Sequence, residues 1–210
     1  GMRNIFSRFI KATYKERKGL KILDIGCGTG STIKELERFG DVLGVDIEPQ
    51  ALYFCKKKGV SKTILAEGNY LPCKDKTFDL VTLFNIIEHI EDDRGFVREV
   101  HRVLKDNGKI VIATSAFNFL WSKHDVVNEH KRRYTKTLLK RLIGKQFTVE
   151  RMTYTNFILF PAIWIGIIFN NIIKRKKDIS CDGFYPVPGF INKILLLILK
   201  LESILLKRFN

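Results

Sequence analysis

Cysteine is scarce in this chain and follows no pattern that is typical of a disulfide-bonded or metal-binding protein. The 210 residues include four cysteines, Cys27, Cys55, Cys73 and Cys181, and no two of them form a C-x-x-C pair. Their spacing from the four histidines matches no metal-binding pattern either. We therefore predict four reduced thiols, a cytoplasmic location and no metal site.

Apolar runs long enough to cross a membrane are also missing. No secretory signal precedes the first predicted strand, which agrees with a cytoplasmic location. The run from Phe157 to Phe169 is interrupted by Pro161 and Gly166, and two asparagines follow it. Because a membrane-spanning helix needs ~20 apolar residues, we do not predict that this segment spans a membrane.

Acidic residues are too few to balance the basic ones. Lysine and arginine number 37 against 22 aspartates and glutamates, which gives a net charge of +15. The excess lies at the ends, because residues 1–21 carry seven basic and one acidic residue and residues 151–210 carry nine and three. Basic ends around a nearly neutral middle indicate an anionic partner, either a membrane surface or nucleic acid.

The two ends also carry amphipathic patterns. A basic amphipathic helix is predicted within residues 1–20, and an apolar segment, a basic run and a lysine-striped helix are predicted within residues 156–210. These features predict peripheral contact with the inner face of a membrane. The alternative is that the C-terminal helices pack on the sheet or on a second subunit. Packing on a second subunit would form an oligomer through the arm.

Between the two ends, short apolar runs alternate with helical patterns. This order predicts an α/β fold with a doubly wound, mostly parallel Rossmann-like sheet, helices on both faces and a helical C-terminal arm. Residues 21–155 form the predicted binding domain. The predicted strands are 21–25, 42–47, 61–65, 79–84 and 109–114, with helices at 31–38, 49–58 and 95–104.

The sequence KILDIGCGTG, at residues 21–30, predicts a buried strand that runs into a tight glycine turn. Such turns bind nucleosides in NAD, FAD and other cofactors, and some are purely structural. Asp46 lies 20 residues after Gly26, at the end of the second strand, where a carboxylate can accept hydrogen bonds from both ribose hydroxyls. The alternative is that Asp46 only caps the next helix.

Four successive segments, LDIGCGTG, GVDI, AEGNYLPCKDKTFDLV and FNIIEHI, resemble the motifs of class I S-adenosylmethionine-dependent methyltransferases over about residues 20–115. A dehydrogenase turn would instead read G-x-G-x-x-G. The resemblance implies that S-adenosylmethionine is the cofactor, that Asp46 binds its ribose and that Ile47 contacts the adenine. It also implies that Asp24 and the glycine turn hold the amino acid portion of the cofactor. The turn residues concerned are Gly26, Cys27, Gly28 and Gly30.

The later motifs supply three further residues. The resemblance places Glu67 where an aspartate commonly binds the adenine amino group, and Gly68 contributes backbone beside it. Asn85 matches a position beside the methyl donor. The alternatives are a solvated loop glutamate and a simple turn asparagine.

Residues 121–138, WSKHDVVNEHKRRYTKTL, resemble a more restricted segment of these enzymes, H-D followed by H-x-R-R-Y-T. The segment predicts an acceptor site for an anionic or hydroxylated substrate, with His124 or His130 as base and Tyr134 nearby. His89, after the fourth strand, is a further candidate. The alternatives are packing beside Glu88 for His89, and for the segment a salt-bridged lid whose Thr135 caps the next helix.

The resemblance implies methyl transfer, and the apolar C-terminal arm favours a small or lipid-like acceptor. RNA methylation is the second hypothesis because of the positive charge, although no asparagine-proline-proline-aromatic motif or RNA-binding module is present, which disfavours nucleic acid as a partner. A noncatalytic scaffold that binds the cofactor is the third. The family's final antiparallel strand is not evident, so Phe147 to Tyr154 is predicted to be the only extra strand, or the sheet is shortened there.

Overall fold

The protein is described by a computed structural model, which covers residues 2–14, 18–161, 164, 189, 195, 197, 198, 201 and 202. The basic run Lys174 to Lys177 and most of the lysine-striped helix at 190–209 lie outside the described residues. Among the described helices, none combines the length and the apolar content that are needed to cross a membrane.

Five parallel strands form the sheet in the part of the chain that the structure describes, in the order β3-β2-β1-β4-β5. They are β1 (Leu20–Ile25), β2 (Gly40–Asp46), β3 (Thr63–Leu65), β4 (Phe78–Phe84) and β5 (Leu104–Ala113). The order grows outward in both directions from β1, so the chain reverses between β1 and β4. This confirms the predicted doubly wound sheet, and ligands of such sheets bind beyond the carboxyl ends of the strands at the reversal.

Six α-helices and two short 3-10 turns accompany the strands in the described residues between 2 and 143. The helices are α1 (Met2–Tyr14), α2 (Ile33–Leu36), α3 (Pro49–Lys57), α4 (Asp93–Val103), α5 (Lys123–Val127) and α6 (Lys136–Ile143), and the turns are Ile87–His89 and Asn118–Leu120. Helix α4 begins two residues earlier than predicted because the side chain of Asp92 caps it, accepting the Gly95 backbone N–H at 2.8 Å.

The core has one layer on each face of the sheet. Successive side chains of a strand point to opposite faces, so Leu23 and Val81 join the layer under α4, whereas Ile22 and Leu80 join the layer under α1, α2 and α3. Phe96 of α4 is fully buried in the first layer. Because both faces are covered, β1 and β4 are almost continuously apolar, which is why their strands could be predicted from sequence.

Helix α1 packs on the sheet through its apolar side. The ring of Phe6 stacks on Phe84 with the ring centroids 4.2 Å apart, and Ile10 is 1% exposed. The hydroxyl of Tyr14 donates to the backbone carbonyl of Asp79. The prediction of membrane contact rests partly on the apolar residues of this helix. Two of these residues, Phe6 and Ile10, pack against other parts of the protein.

The prediction of a strand at Phe147 to Tyr154 is wrong. The segment has no regular secondary structure, and β5 is the last strand of the sheet within the described part of the chain. Its alternating pattern has another cause, because Phe147, Val149 and Met152 pack against the core layer that contains α4. Side-chain packing accounts for that alternation without backbone pairing to β5.

Candidate functional site

The turn between β1 and α2 requires glycine at several positions. Gly26, Gly28 and Gly30 have φ angles of +72°, +53° and +77°, which side chains other than glycine rarely adopt. A Cβ on Gly26 would lie 2.9 Å from the side chain of Ile86. Around Gly28 the space is open, because a Cβ at this residue would have no described atom within 4 Å, so a ligand can approach the backbone there.

The carboxylate of Asp46 faces this turn. One oxygen accepts the Gly28 backbone N–H at 2.7 Å, and the other accepts the Glu48 backbone N–H at 3.0 Å. A carboxylate oxygen can accept more than one hydrogen bond, so both oxygens can still receive a ligand hydroxyl. Next to it, the side chain of Ile47 is 62% exposed and offers an apolar face.

Asp24 is buried beneath the same turn. The hydroxyl of Thr82 donates to its Oδ1 at 2.6 Å, whereas Oδ2 is buried without a hydrogen-bond partner among the described residues. Burial raises the pKa of Asp24 to about 7; the Thr82 hydrogen bond lowers the pKa and the charge of Asp46 raises it further. An unpartnered buried carboxylate oxygen suits a ligand that brings a positive charge.

The remaining predicted cofactor residues differ in their surroundings. Glu67 is exposed and Gly68 is closely packed, since a Cβ there would lie 2.5 Å from the ring of Phe96. Asn85 is exposed beyond β4 with φ of +53°, and its N–H donates to the Ala113 carbonyl at 2.9 Å. All three lie at the carboxyl edge, following the ends of β3 and β4.

The thiol of Cys27 lies in the core, where the side chain is 5% exposed. Its backbone N–H donates to the Val45 carbonyl at 3.1 Å. Burial raises the pKa of this thiol, and the neighbouring Cys55 thiol raises it further. Cys27 therefore supports the turn from below, and its side chain is not directed at a ligand above the turn.

Known proteins resemble this chain in sequence. Residues 23–112 match the family described as methyltransferase domain. An uncharacterised protein of Methanocaldococcus jannaschii is 39% identical over 169 residues, which cover 80% of this chain and 78% of that protein. The chain belongs to the class I S-adenosylmethionine-dependent methyltransferases. Its cofactor, S-adenosylmethionine, agrees with the glycine turn, the Asp46 carboxylate and the unpartnered oxygen of Asp24.

Two further comparisons support the family and the fold, respectively. The mitochondrial ubiquinone biosynthesis O-methyltransferase of Schizosaccharomyces pombe is 35% identical over 120 residues, which cover 50% of this chain and 43% of that protein. The crystal structure of an S-adenosylmethionine-dependent methyltransferase from Mesorhizobium loti aligns with a TM-score of 0.58 at 20% identity, covering 76% of this chain and 90% of the other. This chain thus spans less than half the length of the yeast relative.

The site residues would have separate tasks toward the cofactor. When bound, S-adenosylmethionine supplies a methyl carbon that is electrophilic because the adjoining sulfur carries a positive charge. Asp46 would accept hydrogen bonds from the ribose hydroxyls, and Asp24 with the open backbone at Gly28 would hold the charged amino acid portion. Ile47 would cover a face of the adenine, with Glu67 and Gly68 at its edge. The chain mainly contributes orientation and exclusion of water.

The structure brings the histidine candidates of this methyltransferase together. The ring centroids of His89 and His130 lie 4.7 Å apart, and those of His124 and His130 lie 6.2 Å apart. Burial lowers the pKa of His89, although the charge of Glu88 opposes this effect. In the sequence, Glu88 is recognisable only as a packing neighbour of His89. Its hydrogen-bond partners, Thr114 and Ser115, follow a different strand and are not evident from the sequence.

Asp125 organises the segment at residues 122–134. The carboxylate is fully buried and accepts Arg133 Nε at 2.7 Å, Arg133 Nη2 at 2.9 Å and the Ser122 N–H at 2.8 Å. Burial alone would raise its pKa, but the hydrogen bonds from Arg133, Ser122 and His130 reverse that effect and hold the pKa below its usual range. These contacts agree with the alternative prediction for this segment, a salt-bridged lid. We call residues 122–134 the lid.

Other members of the segment are also bound within the protein. Arg132 Nη1 and the hydroxyl of Tyr134 both donate to Asp93 Oδ2 at 2.8 Å. Burial raises the pKa of Tyr134, and its hydrogen bond to Asp93 raises it further, so the hydroxyl keeps its proton at neutral pH. Thr135 caps α6, accepting the Leu138 N–H at 3.3 Å. Catalytic roles for His89, His124, His130 and Tyr134 stay predictions.

Replacing Asp125 with alanine is expected to lower the free energy of unfolding by about 3–5 kcal/mol, because it leaves the Arg133 guanidinium unpaired inside the lid. Chemical denaturation monitored by circular dichroism measures this loss. The matched control removes a surface ion pair by Arg38→Ala, whose partner is Glu35, and we expect a change below about 0.5 kcal/mol. A loss for Asp125→Ala as small as that of the control would contradict the structural role of the lid.

Proposed function

We propose that this methyltransferase transfers the methyl group to a small or lipid-like acceptor, at an oxygen, carbon or nitrogen of a hydrophobic molecule. One observation carries the proposal: a cavity with a partly apolar lining that reaches the carboxyl edge of the sheet. The cavity measures about 1070 Å³ and lies along the outer edge of β5, between that strand, α1 and residues 146–157. This volume lies slightly above the range of about 300–1,000 Å³ that is typical of small-molecule sites.

The cavity reaches the end of the sheet at which the methyl donor is expected. Asn85 lines it, as do Thr114 and Ser115, which directly follow β5. A hydrophobic acceptor in the cavity would therefore have one end near the residue that the family places beside the methyl donor. The cavity extends from there along all of β5, which favours an elongated acceptor.

Aromatic rings form part of the cavity wall. The ring centroids of Phe117 and Tyr154 lie 4.7 Å apart, and Phe160 lies 6.3 Å from Phe117. Phe117 has φ of +60°, an unusual backbone conformation for a side chain of this size. Such walls suit a ring-bearing acceptor. The yeast relative is an O-methyltransferase of ubiquinone biosynthesis, which supports a quinone-like precursor as one such acceptor for this chain.

Two alternatives remain distinct hypotheses. RNA methylation is favoured by the net charge of +15, and a noncatalytic scaffold would retain cofactor binding without transfer.

Peripheral contact with a membrane from the cytoplasmic side is part of the proposal, through the C-terminal arm, where Trp164 and Leu197 are 44% and 57% exposed. An oligomer that forms through the same arm would cover these residues instead.

Radiolabelled S-adenosylmethionine tests the proposal when the protein is incubated with separated lipid, RNA, protein and small-molecule fractions of a cell extract. We expect label in the lipid or small-molecule fraction. Label confined to RNA would support the second hypothesis, and cofactor binding without any labelling would support the scaffold. Flotation with anionic liposomes, set beside an RNA gel-shift assay, tests the membrane contact, and RNA binding without flotation would contradict that contact.

A variant that fills the cavity connects the labelling to this site. Ala116 lines the cavity, and Ala116→Trp is expected to reduce acceptor labelling by about tenfold or more while the cofactor Kd stays within about twofold. The control Val126→Trp changes a residue that is 65% exposed and outside the cavity, and should label normally. Normal labelling by Ala116→Trp would show that the acceptor binds elsewhere.

A further inference from the structure

The carboxylate of Glu88 is fully buried but lacks a charged partner among the described residues. Its oxygens accept the Thr114 hydroxyl at 2.8 Å and the Ser115 N–H and hydroxyl at 3.3 Å each. In the described part of the chain, no lysine or arginine forms an ion pair with it. Buried carboxylates in proteins are normally paired with a cation or bind a metal ion. Neutral hydrogen bonds leave the charge of Glu88 uncompensated.

Two imidazole rings lie beside this carboxylate. Glu88, His89 and His130 each offer one ligand atom, and these atoms all lie within 4.8 Å of one another. Two of the residues are adjacent in sequence, on the short turn after β4, whereas His130 comes from the lid segment. Only the tertiary structure joins them, which is why the sequence spacing predicts no metal site.

The hydrogen bond of His130 to Asp125 orients the His130 ring for coordination. His130 Nδ1 lies 2.8 Å from Asp125 Oδ1, and because a carboxylate only accepts, this nitrogen carries the hydrogen. The lone pair of neutral His130 is then on Nε2. Burial lowers the pKa of the His89 ring, and the nearby backbone carbonyl of Asn128 opposes this effect. Metal-binding histidines generally have such a carboxylate or carbonyl partner on the second nitrogen.

The formal charges around the three residues favour a cation. Arg133 donates two hydrogen bonds to Asp125, so these opposite charges cancel. With neutral imidazoles, Glu88 leaves the cluster with one net negative charge. We propose that Glu88, His89 and His130 bind a divalent transition-metal ion of the zinc type. Imidazole nitrogen favours zinc, cobalt or nickel over magnesium and calcium, which prefer oxygen ligands.

Binding requires a small movement of the rings. Zinc–nitrogen bonds of about 2.0–2.1 Å place tetrahedral ligand atoms about 3.4 Å apart, so separations of up to 4.8 Å must shorten by up to about 1.4 Å. The fourth position is left for water or for His124, whose ring lies 6.2 Å from that of His130. The ion would join the turn after β4 to the lid, which already meet where the Lys131 N–H donates to the Glu88 carbonyl at 2.7 Å.

Cobalt is the probe that distinguishes these ligands from the cysteines. Tag-free protein is titrated with Co²⁺ and followed by visible absorption, and equilibrium dialysis with Zn²⁺ gives the stoichiometry. We expect about one ion per chain with a Kd of about 10 μM or tighter, a tetrahedral d–d spectrum and no thiolate charge-transfer band. Absence of binding at this strength, or a thiolate band, would overturn the proposal.

Three variants assign the ligands. His89→Ala, His130→Ala and Glu88→Gln should each weaken Co²⁺ affinity about 100-fold or more, and Glu88→Gln keeps an acceptor for Thr114. The matched control is His101→Ala on α4, where the ring packs edge-on against Phe147 outside the cluster, and it should bind as the original chain does. Circular dichroism and cofactor binding identify folded variants. Unchanged Co²⁺ binding by the folded variants contradicts the assignment, whatever the acceptor proves to be.

Discussion

Replacing Asp46 with alanine is expected to weaken S-adenosylmethionine binding by about 100-fold or more. The variant removes the carboxylate that is predicted to accept hydrogen bonds from the ribose hydroxyls, and each hydrogen bond to a charged group contributes about 1.5–3 kcal/mol. It also releases the Gly28 N–H, which Asp46 holds at 2.7 Å, so the turn loses one of its supports. Isothermal titration calorimetry with the cofactor measures the change in Kd.

The control for this prediction lies on the same strand. Asp41 is exposed and forms its ion pair with Lys62, away from the carboxyl edge, so Asp41→Ala should leave the cofactor Kd within about twofold. Denaturation curves of both variants separate a loss of binding from a loss of folding. A folded Asp46→Ala protein that binds the cofactor normally would contradict the assignment of the ribose site.

The buried Asp24 predicts a pH dependence of stability. Its pKa is about 7 in the folded protein against 3.8 in the unfolded chain, because burial disfavours the charged form. Between these values the folded state holds more protons, so the free energy of unfolding falls as the pH rises from about 4 to about 7. The loss attributable to this group is at most about 4 kcal/mol, which Asp24→Asn should remove.

Denaturation at several pH values measures this effect. The difference in unfolding free energy, Asp24→Asn minus the original chain, should rise steadily across that interval and then level off. Asp41→Asn provides the control, since this exposed carboxylate is paired with Lys62 at the surface and its difference should stay small. Parallel pH profiles for Asp24→Asn and the original chain would refute the raised pKa.

Cofactor binding should report on the same proton. The positively charged amino acid portion of S-adenosylmethionine favours the ionised form of Asp24, so binding near pH 6 should release up to about one proton. Calorimetry in buffers of different ionisation enthalpy counts the protons released. Asp24→Asn should show no release from this position, and equal release from both proteins would assign the proton to another group.

Local patterns predicted most of the sheet because its causes are local. The buried strands β1 and β4 consist of apolar runs, and the turn at Gly26 is recognisable from glycines that positive φ angles require. Boundaries agree less closely: β5 begins at Leu104, five residues before the prediction, because it follows α4 without an intervening loop. Residues 147–154 do not form the predicted strand. An alternating pattern of apolar residues indicates which side chains are buried, and it does not show that the backbone pairs with a neighbouring strand.

The sequence by itself determined the doubly wound fold, the family and the cofactor motifs, because each depends on residue types at short, constant separations. Only the tertiary structure decided what the other polar residues contact. Glu88 comes from a turn, His130 and Asp125 come from a lid more than 30 residues later, and Thr114 directly follows β5. Their association depends on how the strands and the lid pack, and no spacing within a single element encodes it.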